Sequence, residues 1–206
     1  MPEKSFQVIE EVHLDHSLMA ILPYQYGSKL YSKILKTEEE KLLPYRPVDV
    51  VKMGCIRYAS SYEGRREATK ELIHVTHKPP IVIDPVQSIY LFPTVSPKHK
   101  HCIWLSHTHV LDYEKSSPSA TKVIFSNQQT LEVPISYQSF DKQMLRTSLL
   151  RTRVEQRMTG NNRSRNFLQE NMHLAIEAME KSGIYEVFLH DPFIQSRLSS
   201  KRPNKK

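Results

Sequence analysis

The spacing of apolar and polar residues changes rhythm along this chain. Phe6, Val8, Val12 and Leu14 alternate weakly and predict an edge strand over 6–14. Met19 to Gln25 and Lys29 to Lys36 flank Gly27-Ser28 and predict a hairpin. In its second arm Leu30, Ser32, Ile34 and Lys36 alternate with Lys29, Tyr31, Lys33 and Leu35, which leaves the inward face open. Glu38-Glu39-Glu40 reads as a solvated acidic loop. A helical period follows: Pro47 suits a first turn, where no backbone donor is needed, and Val48, Val51 and Cys55 continue it. A second helix is expected to start near Ser60, where Ser60 and Glu63 have capping-box spacing, with Ala68 and Leu72 four residues apart beyond.

Pro79-Pro80 stops that helix, and the period shortens to that of strands. Ile81-Val82-Ile83 and Ile89-Tyr90-Leu91-Phe92 are apolar runs separated by Asp84-Pro85. Cys102 to Val110 predicts a longer strand, and Lys122–Phe125 with Thr130–Ile135 a hairpin turning at Ser126–Gln129. From Tyr137 the period is helical again. One helix is expected to about Met158, a break at Thr159-Gly160-Asn161-Asn162, and a last helix with Leu168, Met172, Ala175, Ile176 and Met179 on one face, stopped by Gly183. The fold class is therefore α+β: a central antiparallel sheet with an early helix pair and a helical C-terminal third. The expected organisation is a core over 1–158, a helical segment over 159–196 and a basic tail over 197–206.

Composition narrows the function classes. Apolar residues make up 39% and charged residues 25%, enough apolar surface to fill a core. No run of eighteen apolar residues exists, so no span of a membrane is expected. Met1-Pro2-Glu3-Lys4-Ser5 leads into mixed polar sequence and does not read as a secretory signal. Cys55 and Cys102 read as reduced thiols in apolar surroundings rather than a disulfide framework, which fits the cytoplasm. The net charge of +7 is localised: residues 197–206 and 141–166 carry +5 each, and the rest of the chain −3. Excess cations gathered in two places suit a polyanionic partner.

The helix over 137–158 carries the most specific pattern. At about 100° per residue, Lys142, Arg146, Arg153 and Arg157 fall within a stripe roughly 60° wide, opposite Phe140, Met144, Val154 and Met158. Such a helix packs by one face and presents a row of cations to a phosphate backbone, where each neutralised phosphate releases counterion. The same pattern also describes an ordinary amphipathic helix with a solvated charged side. Arg151, amid the apolar side, is expected to find an acidic partner or to reach outward. A second basic site is Ser60-Ser61-Tyr62-Glu63-Gly64-Arg65-Arg66, a helix start where Arg65 or Arg66 could complete a phosphate clamp. The histidines His99, His101, His107 and His109 match no zinc spacing, and hydrolase and nucleotide-binding motifs are absent, so neither a metal nor a cofactor is expected and the chain does not read as an enzyme. A zinc hydrolase built on those four histidines is the enzymatic alternative.

Several ordered strings resemble the ComK family. They are Ser60-Ser61-Tyr62-Glu63-Gly64-Arg65, His77-Lys78-Pro79-Pro80-Ile81, Leu91-Phe92-Pro93-Thr94, Cys102-Ile103-Trp104-Leu105-Ser106-His107, Phe125-Ser126-Asn127, Pro134-Ile135-Ser136-Tyr137 and Leu150-Arg151-Thr152-Arg153, spread over residues 19–158. The resemblance implies a transcriptional activator of competence genes, binding paired A/T-rich half-sites mainly through the minor groove as a homodimer or tetramer. It further implies double-stranded DNA, RNA polymerase and a Clp protease adaptor as partners, and a cytoplasmic, nucleoid-associated location. A-tracts narrow the minor groove and deepen its negative potential, which attracts arginine and lysine. On that footing Arg146, Arg153 and Arg157 are the first expected DNA contacts, with Lys142, Arg65 and Arg66 next. The alternative within the family is a diverged paralog acting as a decoy or protein-interaction module. Two departures stand out. Asn127-Gln128 replaces the Asn-Gly expected of a two-residue turn, which predicts a longer one. Beyond Met158 there is no good match to the family's adaptor peptide, so that contact would use another segment, around Asn166-Phe167-Leu168.

Overall fold

Gly27 has φ +58°, a left-handed backbone that glycine adopts without steric cost, and it turns strand β1 (Leu18–Tyr26) into β2 (Lys29–Lys36) as the expected hairpin. The computed structural model describes residues 13–181, with side chains through residue 160. Of the edge strand expected at 6–14 only residues 13 and 14 are described. Neither is in a strand, and Leu14 is buried in the core. The acidic loop is shorter than expected: Glu40 already belongs to strand β3 (Glu40–Leu43), paired with β2, where it meets Lys33 at 2.9 Å.

Helix α1 (Pro47–Arg57) begins with Pro47 in its first turn, as its fixed φ favours. Gly54 within it has no side chain where Leu14 packs; a Cβ there would collide with Leu14 Cδ1, so a larger residue would require the buried Leu14 side chain to shift. Helix α2 (Tyr62–Ile73) is capped by Ser61, whose Oγ accepts from the Gly64 N–H at 3.0 Å, not by Ser60. Ser60 is otherwise engaged, accepting from Arg65 Nε at 2.7 Å and donating to the Cys55 carbonyl at 3.3 Å. The buried side of α2 is Tyr62, Thr69 and Ile73, while Ala68 is exposed and Leu72 half-buried. Thr69 is accommodated there because its hydroxyl donates to the Pro80 carbonyl at 2.9 Å.

The strands β4 (Ile81–Asp84), β5 (Ile89–Pro93) and β6 (Trp104–Ser106) complete an antiparallel six-stranded sheet in the order β3-β2-β1-β6-β5-β4. The strand expected over Cys102–Val110 is broken by a single 3₁₀ turn, His107–His109. That turn passes the chain to a second, three-stranded sheet of β7 (Val110–Ser117), β8 (Ala120–Phe125) and β9 (Thr130–Val133). The β8–β9 connection spans residues 126–129, with Gln128 at φ +68°, as the missing glycine predicts.

Neighbouring residues on the central strands go to opposite cores. Ile21, Ile34, Ile81, Ile83, Leu91 and Trp104 pack under α1 and α2. Ala20, Leu35, Phe92, Ile103 and Leu105 pack under the second sheet, with Val123, Phe125, Val133 and Phe140. Both faces of the large sheet are therefore covered, which explains why its strands read as continuous apolar runs rather than alternating ones, and why the second arm of the hairpin had no single inward face.

Helix α3 (Tyr137–Lys181) runs through the break expected at 159–162. Gly160 costs a helix on the order of 1 kcal/mol, but the segment holds no proline, so no backbone donor is lost. The chain divides into two compact units after Gln156. The first holds both sheets, α1, α2 and the start of α3; of the second, the continuing helix to Lys181 is described. The faces expected from Leu168 to Met179, Arg163 and Arg165, the Gly183 stop and the basic tail lie outside the described residues or side chains. No helix among the described residues is long and apolar enough to cross a membrane.

Candidate nucleic-acid interface

Within the first unit α3 is seated by Phe140, Gln143, Thr147 and Leu150, all buried. The expected seat of Phe140, Met144, Val154 and Met158 is corrected: Met144 and Val154 lie half-buried at its margin, and Met158 is exposed. The reason is two polar residues that hydropathy places outside. Gln143 Nε2 donates to the carbonyls of Pro93 at 2.6 Å and Lys78 at 3.1 Å, and the Thr147 hydroxyl donates to the Gln143 carbonyl at 2.7 Å. A buried polar group with its partners in place carries no large burial penalty.

This rotation sorts the predicted cations. Lys142 and Arg153 are exposed, and neither has a carboxylate partner among the described residues. Arg146 lies next to the seat, half-buried, with Nη1 donating to the His77 carbonyl at 3.4 Å and to Gln143 Oε1 at 3.3 Å. Its charge is held by neutral acceptors and stays uncompensated. Arg151 has an acidic partner one turn on, Glu155 at 2.6 Å. Arg157 is exposed and opens the second unit.

The two arginines at the start of α2 part company. Arg65 turns inward, donating to Ser60 Oγ at 2.7 Å and to the Ile83 carbonyl at 3.4 Å. Arg66 is exposed, its guanidinium 5.9 Å from the centroid of the Tyr62 ring, within cation–π range. It lines a pocket of about 540 Å³ bounded by the starts of α1 and α2 and by the segments 76–79 and 96–98. Arg46, Lys52, Lys78 and Lys98 line the same pocket, with Glu63 as its one lining carboxylate. Arg46 is paired with Asp49 at 2.8 Å. The segment that carries Lys78 is the one Gln143 and Arg146 hold, so Arg66 and Arg146 flank a common stretch of backbone. Lys52, Lys78 and Lys98 went unnoticed in the sequence because they lie in three separate segments that only the fold brings to one pocket. Only Lys78, inside one of the family-like strings, carried a signal.

The four histidines are not gathered into a site. His99 and His101 have ring centroids 5.4 Å apart. His109 spends both ring nitrogens, on Ser126 Oγ at 2.8 Å and the His16 carbonyl at 2.5 Å. His107 is largely buried, and burial, then the charge of Arg151, lowers its pKa. Among the described residues no three His, Cys, Asp or Glu side chains stand together as a metal site. Cys55 and Cys102 are free and buried, and burial pushes both thiols up to about 11, far from a reactive thiolate.

Comparison with known proteins adds to this geometry. The family model described as ComK protein matches residues 9–159. The competence transcription factor of Bacillus subtilis (strain 168) is 37% identical over 158 residues, which cover 77% of this chain and 82% of that protein. No solved structure matches the chain.

Proposed function

This chain belongs to the ComK family, and from that premise we propose that it is a competence transcription factor that binds DNA and activates DNA-uptake genes. The Bacillus subtilis relative is named a competence transcription factor, and the match covers most of it. The reading that joins role to geometry is that α3 lies against the sugar-phosphate walls of an A/T-rich duplex, with Arg146 and Arg153 as principal contacts. Lys142 and Arg66 add charge in the same unit, and Arg157, which opens the second unit, is a further proposed contact. The tethered Arg65 serves mainly to hold the start of α2.

One observation carries this reading: Lys142 and Arg153 project from an ordered helix with no carboxylate to neutralise them among the described residues. Cations not already neutralised by the protein are free to meet phosphate, and each that does releases counterion. Narrow A-tract minor grooves offer the strongest potential to such a row. A homodimer or tetramer would place two rows on paired half-sites, in the cytoplasm and on the nucleoid, with RNA polymerase and a Clp adaptor as further partners. The test is a gel shift with an A-tract probe. Arg146→Ala combined with Arg153→Ala is expected to abolish the shift, and Arg153→Ala alone, at an exposed side chain, is expected to weaken it while the thermal melt stays in place. Equal binding by the double variant and the wild type would remove α3 from the interface.

A further inference from the structure

The α3 row leaves a second concentration of positive charge unexplained. The pocket of about 540 Å³ is lined by Arg46, Lys52, Arg66, Lys78 and Lys98 against Glu63 alone. Among the described residues Lys52, Arg66, Lys78 and Lys98 have no carboxylate ion-pair partner, so four like charges line one concavity in excess of its single carboxylate. Like charges brought together by folding repel, and a protein retains such an arrangement at a cost in stability unless an anion relieves it. Lys52 and Lys78 are half-buried, which strengthens their interaction with anything that enters.

The shape also suits a ligand. The volume falls within the few hundred to about 1,000 Å³ typical of small-molecule sites. The pocket wall is fixed rather than fluid. Lys78 has a left-handed backbone, φ +50°, and its carbonyl is pinned by buried Gln143. Arg66 is steadied over Tyr62, itself buried. Val48, Pro79 and Pro97 supply rigid apolar wall between the cations. The first residues of α1 and α2 lie on its rim, where the helix dipoles add to the positive field.

We propose that this pocket is a phosphate-binding site, built for two or more linked phosphates rather than one. The four cations lining the pocket, less Glu63, carry more positive charge than one phosphate neutralises, and a guanidinium offers phosphate bidentate bonds while the ammonium groups act as point charges. The linked phosphates come either from successive positions of a DNA backbone or from a free phosphorylated small molecule of nucleotide size. The site does not depend on the DNA reading of α3, since its ligand chemistry is set by its own residues.

Inorganic pyrophosphate is the probe, titrated calorimetrically into the full chain at low ionic strength. Binding with Kd at or below about 1 mM is expected. Arg66→Ala combined with Lys78→Ala is expected to weaken it on the order of tenfold or more, with an unchanged melt. Arg66→Lys, which keeps the charge but loses the bidentate fork, is expected to bind more weakly than wild type and more tightly than Arg66→Ala. The protein altered at Lys142 and Arg153 is expected to bind pyrophosphate as wild type does, which separates this site from the α3 row. The source is then read by gel shift: displacement of DNA by pyrophosphate, beyond that by sulfate at matched ionic strength, assigns the pocket to the DNA backbone, and simultaneous binding assigns it to a free phosphorylated ligand. Absence of pyrophosphate binding, or equal binding by the Arg66→Ala/Lys78→Ala protein, overturns the proposal.

Discussion

The side chain of Gln143 donates a hydrogen bond to the backbone carbonyl of Lys78 at 3.1 Å, joining α3 to a segment 65 residues earlier in the chain. The same amide reaches the Pro93 carbonyl at the end of β5, at 2.6 Å. One buried side chain thus locks a helix, a strand end and a left-handed loop residue together. It sets how α3 is rotated, hence which cations face solvent, and it holds the lysine that lines the pocket.

Gln143→Leu is expected to lower the unfolding free energy by about 1–3 kcal/mol, because the buried Pro93 carbonyl and the part-buried Lys78 carbonyl lose their donor. For a chain of this size that corresponds to a fall in Tm of about 2–4 °C per kcal/mol. Calorimetric melting checks it, and a variant melting with the wild type would show that neither bond is stabilising.

Lys142→Ala and Arg153→Ala, made singly, are expected to leave stability within about 0.5 kcal/mol, since both side chains are exposed. On DNA each is expected to reduce the slope of log K against log salt by about 1, the signature of one lost phosphate contact. Titrations at several salt concentrations measure the slope directly. A base-specific role for Arg153 would appear instead as relaxed sequence preference at unchanged slope.

Acid stability should report the pair formed by Asp15 and Lys36. Burial raises the Asp15 carboxyl, but hydrogen bonds from Lys36, at 2.6 Å, and from Ser17, with the Lys36 charge, outweigh it and bring the group from 3.8 to about 2. Because the folded value lies below the unfolded one, the contribution is complete above pH 3.8 and is lost as pH falls through about 2. After allowance for solvent around Asp15 it amounts to about 1 kcal/mol. Urea unfolding of Asp15→Asn against the wild type is expected to show that gap at neutral pH and none at the acid end. A gap independent of pH would assign the effect to packing.

His107 predicts a second loss of stability on acidification, setting in at higher pH. Its Nδ1 is buried with no hydrogen-bond partner among the described residues, and burial, then the Arg151 charge, lowers its pKa from 6.5. The fold therefore holds the neutral ring. Its stability is full above 6.5 and declines as the pH drops below that value, because the unfolded chain takes up the proton first. His107→Leu is expected to flatten the decline between about pH 7 and pH 5. A variant that tracks the wild-type profile would place that titration elsewhere.

Much of the fold was legible because local chemistry agrees with the outcome. Gly27 between two extended runs, Pro47 before Val48 and Val51, and Asn127-Gln128 in place of Asn-Gly each fix a turn or helix start through backbone geometry within a few residues. Where the sequence misled, a distant partner decided. Ser61 rather than Ser60 caps α2 because Ser60 meets Arg65 and Cys55. The strand after Cys102 breaks at His107–His109 because Trp104–Ser106 pairs with β1 and β5, while Val110 onward pairs with β8.

The sequence by itself determined the alternation of elements, the apolar content of the central strands and the concentration of cations on α3, since these follow from residue type and spacing. Only the tertiary structure decided which way α3 faces, that Arg65 turns in while Arg66 turns out, and that Lys52, Lys78 and Lys98 share a pocket with Arg66. Those outcomes depend on contacts between residues far apart in the chain. Buried glutamine and threonine satisfied by remote carbonyls look, in one dimension, the same as polar residues exposed to water.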